Sequence, residues 1–121
     1  MNHLLVVEDD PNTLSGLKEL LGDEGYDVNG VMQGNDALEI ASHEPVDMVL
    51  CDYNLPDVDG LRLCQRLRKI RPDAILFLTT AMDSTALVDT ARRSGISKIF
   101  PKPINLKDLF ETLLTYGSKV A

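Results

Sequence analysis

The residues with the clearest chemical capability in this sequence end or follow short apolar runs. In chain order they are Glu8, Asp9, Asp52, Thr80 and Lys102. Carboxylates bind hard cations and can act as nucleophiles toward phosphoryl groups. An ammonium and a hydroxyl can bind the oxygens of a transferred phosphoryl group. If the fold brings these side chains together, the set predicts phosphoryl chemistry assisted by a divalent cation.

Three of these residues are acids, and negative charges at close range destabilise one another unless a proton or a cation neutralises them. Mg2+ takes oxygen ligands and is usually held by one or two carboxylates together with water and a substrate phosphate. Glu8, Asp9 and Asp52 are therefore candidate Mg2+ ligands. Asp52 is also a candidate nucleophile, because a carboxylate can form an aspartyl phosphate.

The elements that must position these residues alternate along the chain. Strands are predicted at Leu4–Glu8, Tyr26–Val31, Val46–Asp52, Ala74–Thr79 and Ser97–Phe100. Several of these runs are continuously apolar, which is typical of strands covered by helices on both faces. Leucine-rich helical periodicities separate the strands, so the pattern predicts an α/β fold with a parallel sheet. Ligands of such folds gather at the carboxyl ends of the strands, where the reactive residues lie.

Helix boundaries are marked by residues that suit helix ends. Asp10 is a good N-cap for the first helix, and Pro11 occupies the favoured first position. Asp59 is expected to cap the third helix and Asn105 the fifth. Gly95 is expected to end the fourth helix, because glycine readily adopts the left-handed conformation found after helix ends.

Length and composition restrict the classes of protein. With 121 residues, of which 44% are apolar, residues 1–121 are expected to form a single domain without room for a second. The net charge of −7 argues against nucleic-acid binding, which needs a basic face. With no signal peptide or apolar run long enough for a membrane span, a cytoplasmic location is expected. Cys51 and Cys64 are expected to be buried reduced thiols.

Each reactive residue also has a purely structural explanation when taken alone. Acids such as Glu8 and Asp9 favour the start of a helix, where they complement its dipole. An Asp after a strand, such as Asp52, is usually a turn residue, and a Thr at a strand end usually reflects β propensity. Lys102 alone could be a solvated surface charge. Their arrival at the same ends of consecutive elements favours the functional interpretation.

From Leu4 to about Tyr116 the chain resembles the receiver domains of two-component response regulators. The segments that carry the resemblance are Leu5–Asp10, Val49–Pro56, Asp59–Gly60, Leu78–Ala81 and Gly95–Pro103. The resemblance implies a flavodoxin-like, doubly wound (βα)5 fold. Its five-stranded parallel sheet would have the order 2-1-3-4-5, with helices on both faces.

The resemblance also implies a role for each residue of the acidic group. Asp52 corresponds to the phosphoacceptor and also to a Mg2+ ligand. Asp9 corresponds to a direct Mg2+ ligand, and Glu8 to one that acts through water. The backbone carbonyl of Asn54 corresponds to a further metal ligand.

Thr80 and Lys102 correspond to the two residues that follow the phosphoryl group in this family. Thr80, rather than its rival Thr79, has the family's spacing from the lysine, and the small Ala81 follows it. Lys102 corresponds to the phosphate-binding lysine, and the bond before Pro103 is expected to be cis.

The function implied by the resemblance is a phosphoacceptor switch that catalyses only its own phosphorylation and dephosphorylation. A sensor histidine kinase or phosphotransfer protein would supply the phosphoryl group. An output domain or downstream protein would read the face formed by the fourth helix, fifth strand and fifth helix. The domain would be a monomer or a weak phosphorylation-dependent dimer.

One departure from the family pattern concerns the switch. The position usually occupied by Tyr or Phe is Ile99, and Phe100 follows it. Because neighbouring residues of a strand point to opposite faces, Phe100 is not expected to replace the missing aromatic. Ile96 also replaces the usual alanine after Gly95. Met82, at a position that tunes loss of the phosphate, is apolar and is expected to hinder the attacking water.

Three other functions are compatible with parts of the pattern. A Mg2+-dependent phosphatase with an Asp nucleophile would need a second acid two residues after the first, and Asn54 stands there after Asp52. A pure interaction module would bind a partner without phosphorylation, and the Ile99 departure keeps this alternative open. Flavin binding would need a Ser-, Thr- and Gly-rich phosphate loop after the first strand, where the sequence has acids.

Overall fold

The fold is described from a computed structural model, which covers residues 2–81 and 84–117. Within these ranges five strands alternate with five helices. The strands are β1 (His3–Val7), β2 (Asp27–Val31), β3 (Met48–Asp52), β4 (Ile75–Thr80) and β5 (Ile96–Pro101). The helices are α1 (Pro11–Asp23), α2 (Gly34–His43), α3 (Gly60–Ile70), α4 (Thr85–Arg93) and α5 (Leu106–Gly117).

The strands form one parallel sheet in the order β2-β1-β3-β4-β5, which confirms the predicted topology. The register aligns the ends of the central strands. Asp52 at the end of β3 is paired with Thr79 of β4, and Thr80 is paired with Pro101 of β5. The carboxyl ends of β1, β3, β4 and β5 therefore meet at one edge of the sheet.

Helices cover both faces of the sheet, as the packing of β3 shows. Val49 and Cys51 pack into a core shared with α2, α3 and α4, whereas Met48 and Leu50 pack into a core shared with α1 and α5. Every residue of β3 is therefore buried. This two-sided burial explains the continuously apolar runs in the sequence.

The predicted helix ends are confirmed. The carboxylate of Asp10 accepts from the Asn12 amide of α1, and that of Asp59 accepts from the Arg62 amide of α3. The side chain of Asn105 accepts from the amide of Asp108 in α5 at 3.0 Å. Gly95, just after α4, has a φ of +87°, the left-handed conformation that a residue with a side chain rarely adopts.

Strand boundaries differ from prediction by one or two residues. β4 continues to Thr80, one residue beyond the predicted end, because Thr80 pairs with Pro101 and its carbonyl accepts from the Lys102 amide. β5 begins at Ile96, where a register irregularity beside Leu76 and Phe77 interrupts the pairing of β4 with β5. A bulge of this kind cannot be read from an apolar pattern.

Other local predictions are also confirmed. The Lys102–Pro103 peptide bond is cis. Both cysteines lie within the described ranges and are buried free thiols. None of the helices in the described part of the chain combines the length and the apolar character needed to cross a membrane.

Candidate functional site

The site lies at the carboxyl edge of the sheet, where Lys102 contacts two buried acids. Its Nζ lies 2.7 Å from Asp52 Oδ2 and 3.3 Å from Glu8 Oε2. Asp52 is 2% exposed and Glu8 is 3% exposed. Because buried charges are costly unless paired, the ammonium of Lys102 is a main source of compensation for both carboxylates.

Glu8, Asp9 and Asp52 each place a carboxylate oxygen within 4.8 Å of the others, as their positions after β1 and at the end of β3 predict. Glu8 and Asp52 are buried, and Asp9 is exposed. Burial and the neighbouring charge of Asp52 raise the pKa of Glu8 above its ordinary value. A cluster of hard oxygen donors that compete for neutralisation fits a divalent cation such as Mg2+.

The two oxygens of the Asp52 carboxylate have different partners. Oδ1 accepts from the amide of Asn54 at 3.1 Å, and Oδ2 faces Lys102. The orientation of Asp52 is therefore set by a backbone group from its own loop and a side chain that follows β5. Glu8 is also oriented by a backbone group and by Lys102, since its Oε1 accepts from the amide of Asp10 at 3.2 Å.

The pKa of Lys102 reflects these contacts. Its partial burial would lower the pKa, but the hydrogen bond to Asp52 and the charges of Asp52 and Glu8 raise it above the ordinary value. Lys102 is therefore positively charged at neutral pH.

The β3–α3 loop (residues 53–59) returns tightly beneath Asp52. The Gly60 amide donates to the Tyr53 carbonyl at 2.6 Å, and Asn54 forms an antiparallel bridge with Asp59. A Cβ on Gly60 would lie 2.2 Å from the Asp52 carbonyl oxygen, so only glycine fits at this turn. The base of the loop is thus held against the end of β3.

Thr80 is the last residue of β4 and is 2% exposed. Its backbone carbonyl accepts from the amide of Lys102 at 2.9 Å, which ties the ends of β4 and β5 together. Thr80 also lines a cleft of about 400 Å³ beside α4 and β5, together with Ile99 and Ser84. Thr79, its sequence neighbour, pairs in register with Asp52.

Ile99 and Phe100 lie on opposite faces of β5. Ile99 is half-buried against the core on the α4 side, whereas Phe100 is 1% exposed and packs in the core of α1 and α5. The rings of Phe100 and Phe77 make an edge contact with centroids 6.0 Å apart. The prediction that Phe100 does not take the place of Ile99 is therefore confirmed. Met82 lies outside the described residues.

The site opens into a groove of about 650 Å³ that runs along α1. Glu8, Asp9 and Lys102 line one end, and the apolar side chains of Leu17 and Leu20 line its helical wall. A molecule bound in this groove would contact the carboxylates of Glu8 and Asp9 and the Lys102 ammonium at the site, and an apolar surface on α1.

One residue near the site was missed at the sequence level. Asp57, in the β3–α3 loop, accepts hydrogen bonds from the amides of Gly34 and Asn35 at the start of α2. The available signal was indirect, because Gln33, the residue before α2, is not among the preferred N-caps. A helix that lacks a good cap of its own can receive one from elsewhere in the chain.

A family model described as the response regulator receiver domain matches residues 4–114. Among curated proteins, the sensor histidine kinase RcsC of Salmonella typhi is 34% identical over 120 residues, which are 97% of this chain and 12% of that protein. The transcriptional regulatory protein GlrR of Escherichia coli (strain K12) is 31% identical over 92% of this chain and 25% of its own length. The chain thus spans only an eighth to a quarter of these relatives.

Solved structures show the same fold. A CheY-like response regulator receiver domain protein from Methanospirillum hungatei has a TM-score of 0.93 and 27% identity, covering 99% of this chain and 96% of that one. A response regulator from Burkholderia pseudomallei, solved with a phosphorylated aspartic acid, a calcium ion and citrate, has a TM-score of 0.88 and 28% identity, covering 99% and 71%. The flavodoxin-like topology is confirmed, and the chain belongs to the response regulator receiver domain family.

Proposed function

We propose that residues 1–121 act as a single receiver domain that accepts a phosphoryl group on Asp52 in a Mg2+-dependent reaction. The observation that supports this most directly is the burial of Asp52 between the Lys102 ammonium and the acids Glu8 and Asp9. A carboxylate in this setting is held for attack, and the phosphoryl oxygens would find a cation on one side and an ammonium on the other.

The donor in this proposal is the phosphohistidine of a sensor histidine kinase or a phosphotransfer protein. An oxygen of Asp52 forms a bond to phosphorus while the N–P bond of the phosphohistidine breaks. The electron pair of that bond stays on the imidazole nitrogen, so the donor leaves as neutral imidazole when its other nitrogen carries a proton. The groove along α1, which Glu8, Asp9 and Lys102 help to line, offers such a donor a surface beside Asp52.

The proposed Mg2+ ligands are Asp9, Asp52 and the backbone carbonyl of Asn54, with Glu8 acting through water. When bound, Mg2+ would neutralise the acids and stabilise charge on the phosphoryl oxygens. The amide of Asn54 keeps the carboxylate of Asp52 oriented during the reaction. Lys102 loses part of its contact with Asp52 and takes up the charge of the incoming phosphoryl group.

The output of the switch follows from Thr80 and Lys102. Thr80 joins the end of β4 to Lys102 and also lines the cleft beside α4 and β5. In the proposal its hydroxyl follows the phosphoryl oxygens and shifts an existing equilibrium between two forms of the α4–β5–α5 face. An output domain or downstream protein would read this face, with the chain as a monomer or a weak phosphorylation-dependent dimer.

In this proposal the chain is not an enzyme with separate substrates, because it catalyses only its own aspartyl phosphorylation and dephosphorylation. We also propose a cytoplasmic location, because the phosphohistidine donor of a two-component pathway presents its phosphoryl group there. The net charge of −7 argues against direct nucleic-acid binding by this chain.

The test is intact-mass measurement after incubation with acetyl phosphate and Mg2+. One phosphate adduct is expected, and both Asp52→Asn and a chelator should remove it. Asp73→Asn is the matched control, because Asp73 is an exposed acid that precedes β4 at the other end of the sheet. An adduct that survives Asp52→Asn would refute the assignment of the acceptor. No adduct from folded protein would favour a module that binds its partner without phosphorylation.

A further inference from the structure

The start of α2 is capped by a side chain from another part of the chain. The Asp57 carboxylate accepts from the Gly34 amide at 2.8 Å and from the Asn35 amide at 2.9 Å. These are the first two amides of the helix, and they lack partners within it. The hydrogen bond to Gly34 lowers the pKa of Asp57, so its carboxylate is ionised and matches the positive end of the helix dipole.

Close packing accompanies these hydrogen bonds. A Cβ on Gly34 would lie 2.5 Å from Val58 Cγ1, so the tip of the β3–α3 loop rests directly on the helix start. Leu55 and Val58 also pack against the core beside α2 and α3. The tip of the loop is therefore fixed to α2 by two hydrogen bonds and by apolar contact.

The opposite end of the same loop holds the reactive carboxylate. Asn54 donates its amide to Asp52 Oδ1, and its carbonyl is the proposed metal ligand. Asn54 lies at the base of the loop, where it pairs with Asp59 beside the closure of Gly60 against Tyr53, and the chain runs from it directly to the tip, which Asp57 fixes. Movement of the tip would be transmitted to Asn54 through the backbone of the two intervening residues, Leu55 and Pro56.

We propose that Asp57 is a positioning residue for cation binding and phosphorylation, because it ties the β3–α3 loop to α2 and so fixes Asn54 beside Asp52. The inference rests on the proposed function of Asp52. Asp57 itself touches neither the reacting carboxylate nor the Lys102 ammonium through any hydrogen bond or ion pair of the described residues. Its effect would pass through Asn54.

Arg71 provides a matched control at the other end of the same helices. From the C-cap of α3 its Nε donates to the Ala41 carbonyl at 2.8 Å, and its Nη2 donates to the Glu44 carbonyl at 2.7 Å. It thus links α3 to the end of α2 with two hydrogen bonds, as Asp57 links the loop to the start of α2. Arg71 lies far along α3 from the site, so its loss should affect stability alone.

The experiment compares wild type, Asp57→Asn, Asp57→Glu and Arg71→Met. Mg2+ affinity is measured by calorimetry, phosphorylation by acetyl phosphate is followed over a Mg2+ series, and Tm is recorded for each protein. Asp57→Asn should weaken Mg2+ binding on the order of tenfold, as is typical when a residue supporting a metal ligand is lost. Asp57→Glu should restore part of the affinity, and Arg71→Met should lower Tm without changing Mg2+ binding.

Two different failures are distinguishable. If Asp57→Asn lowers Tm but leaves both the Mg2+ affinity and the half-saturating Mg2+ concentration unchanged, Asp57 is only a helix cap and the inference is wrong. If wild type binds Mg2+ but takes up no phosphate, the proposed function fails, and calorimetry on the variants still decides whether Asp57 positions the cation ligands.

Discussion

Lys102 and Asp52 are 50 residues apart in the sequence, yet Lys102 Nζ lies 2.7 Å from Asp52 Oδ2. The same ammonium lies 3.3 Å from Glu8, so one cation serves two buried acids. In the absence of a divalent cation this arrangement compensates charges that would otherwise repel each other. The residue proposed to bind the phosphoryl group therefore also stabilises the metal-free protein.

Replacement of Lys102 with Met should destabilise the metal-free protein at pH 7, because Asp52 and Glu8 would remain buried without the ammonium. The side chain of Lys102 is 30% exposed. Solvent screens a partly exposed ion pair, and with this allowance we expect a loss of about 1–3 kcal/mol in the free energy of unfolding. Urea unfolding with and without Mg2+ measures the loss of stability, which should be smaller when Mg2+ is present. Lys107→Met, at an exposed lysine of α5, is the control. Equal losses in the two variants would contradict this account.

The stability of the metal-free protein should depend on the titration of Glu8. The pKa of Glu8 in the folded protein is raised above its ordinary value of 4.5. Protonated Glu8 therefore contributes to the stability of the folded protein, and this contribution is fully present below pH 4.5. The contribution is lost as pH rises through the raised pKa. Glu8→Gln removes this dependence, and its stability relative to wild type should therefore increase with pH across that window. Urea unfolding in chelator over a pH series measures the difference.

The control for this experiment is Glu19→Gln, which removes one negative charge from the exposed face of α1. Glu8→Gln should also bind Mg2+ more weakly than wild type, because one oxygen donor loses its charge. If the free energy of unfolding depended on pH in the same way for wild type and Glu8→Gln, the ionised carboxylate of Glu8 would not be destabilised by its surroundings.

The same substitution should have opposite effects at two glycines. At Gly60 a Cβ would lie 2.2 Å from the Asp52 carbonyl oxygen, so Gly60→Ala must displace the end of β3 or the loop. We expect a loss of about 1–3 kcal/mol, the usual range for overpacking, together with slower phosphorylation. At Gly16, inside α1, a Cβ meets nothing within 4 Å, and Gly16→Ala should stabilise by about 0.5–1 kcal/mol. Thermal unfolding of both variants measures these changes in stability. If Gly60→Ala left the stability unchanged, the close approach of Gly60 to the Asp52 carbonyl would be refuted.

Both thiols should be inert in the folded protein. Cys51 and Cys64 are buried, and the neighbouring thiol of Cys64, followed by burial, raises the pKa of Cys51 well above its ordinary value. Because the thiolate is the reactive form, a disulfide reagent at pH 8 should label neither cysteine in native protein. Both should react in urea, and native labelling should proceed only as fast as the protein opens. Rapid labelling without denaturant would contradict the described burial.

Local features of the fold were predictable because they depend on neighbours in sequence. The N-caps at Asp10, Asp59 and Asn105 and the left-handed Gly95 are confirmed. The strand order was implied by the family resemblance and not by periodicity, because an apolar run specifies a buried strand without specifying its partners. The extension of β4 to Thr80 escaped prediction, since pairing with β5 determines it.

The sequence by itself determined the reactive residue types, their positions after apolar runs and the alternation of strands and helices, because these are short-range properties of the chain. It also fixed Ile99 and Phe100 on opposite faces, since adjacent strand residues alternate. Only the tertiary structure decided the 2.7 Å contact of Lys102 with Asp52 and the capping of α2 by Asp57 across 23 residues. Such contacts join distant segments, and their geometry depends on sheet register and loop packing that local patterns do not encode.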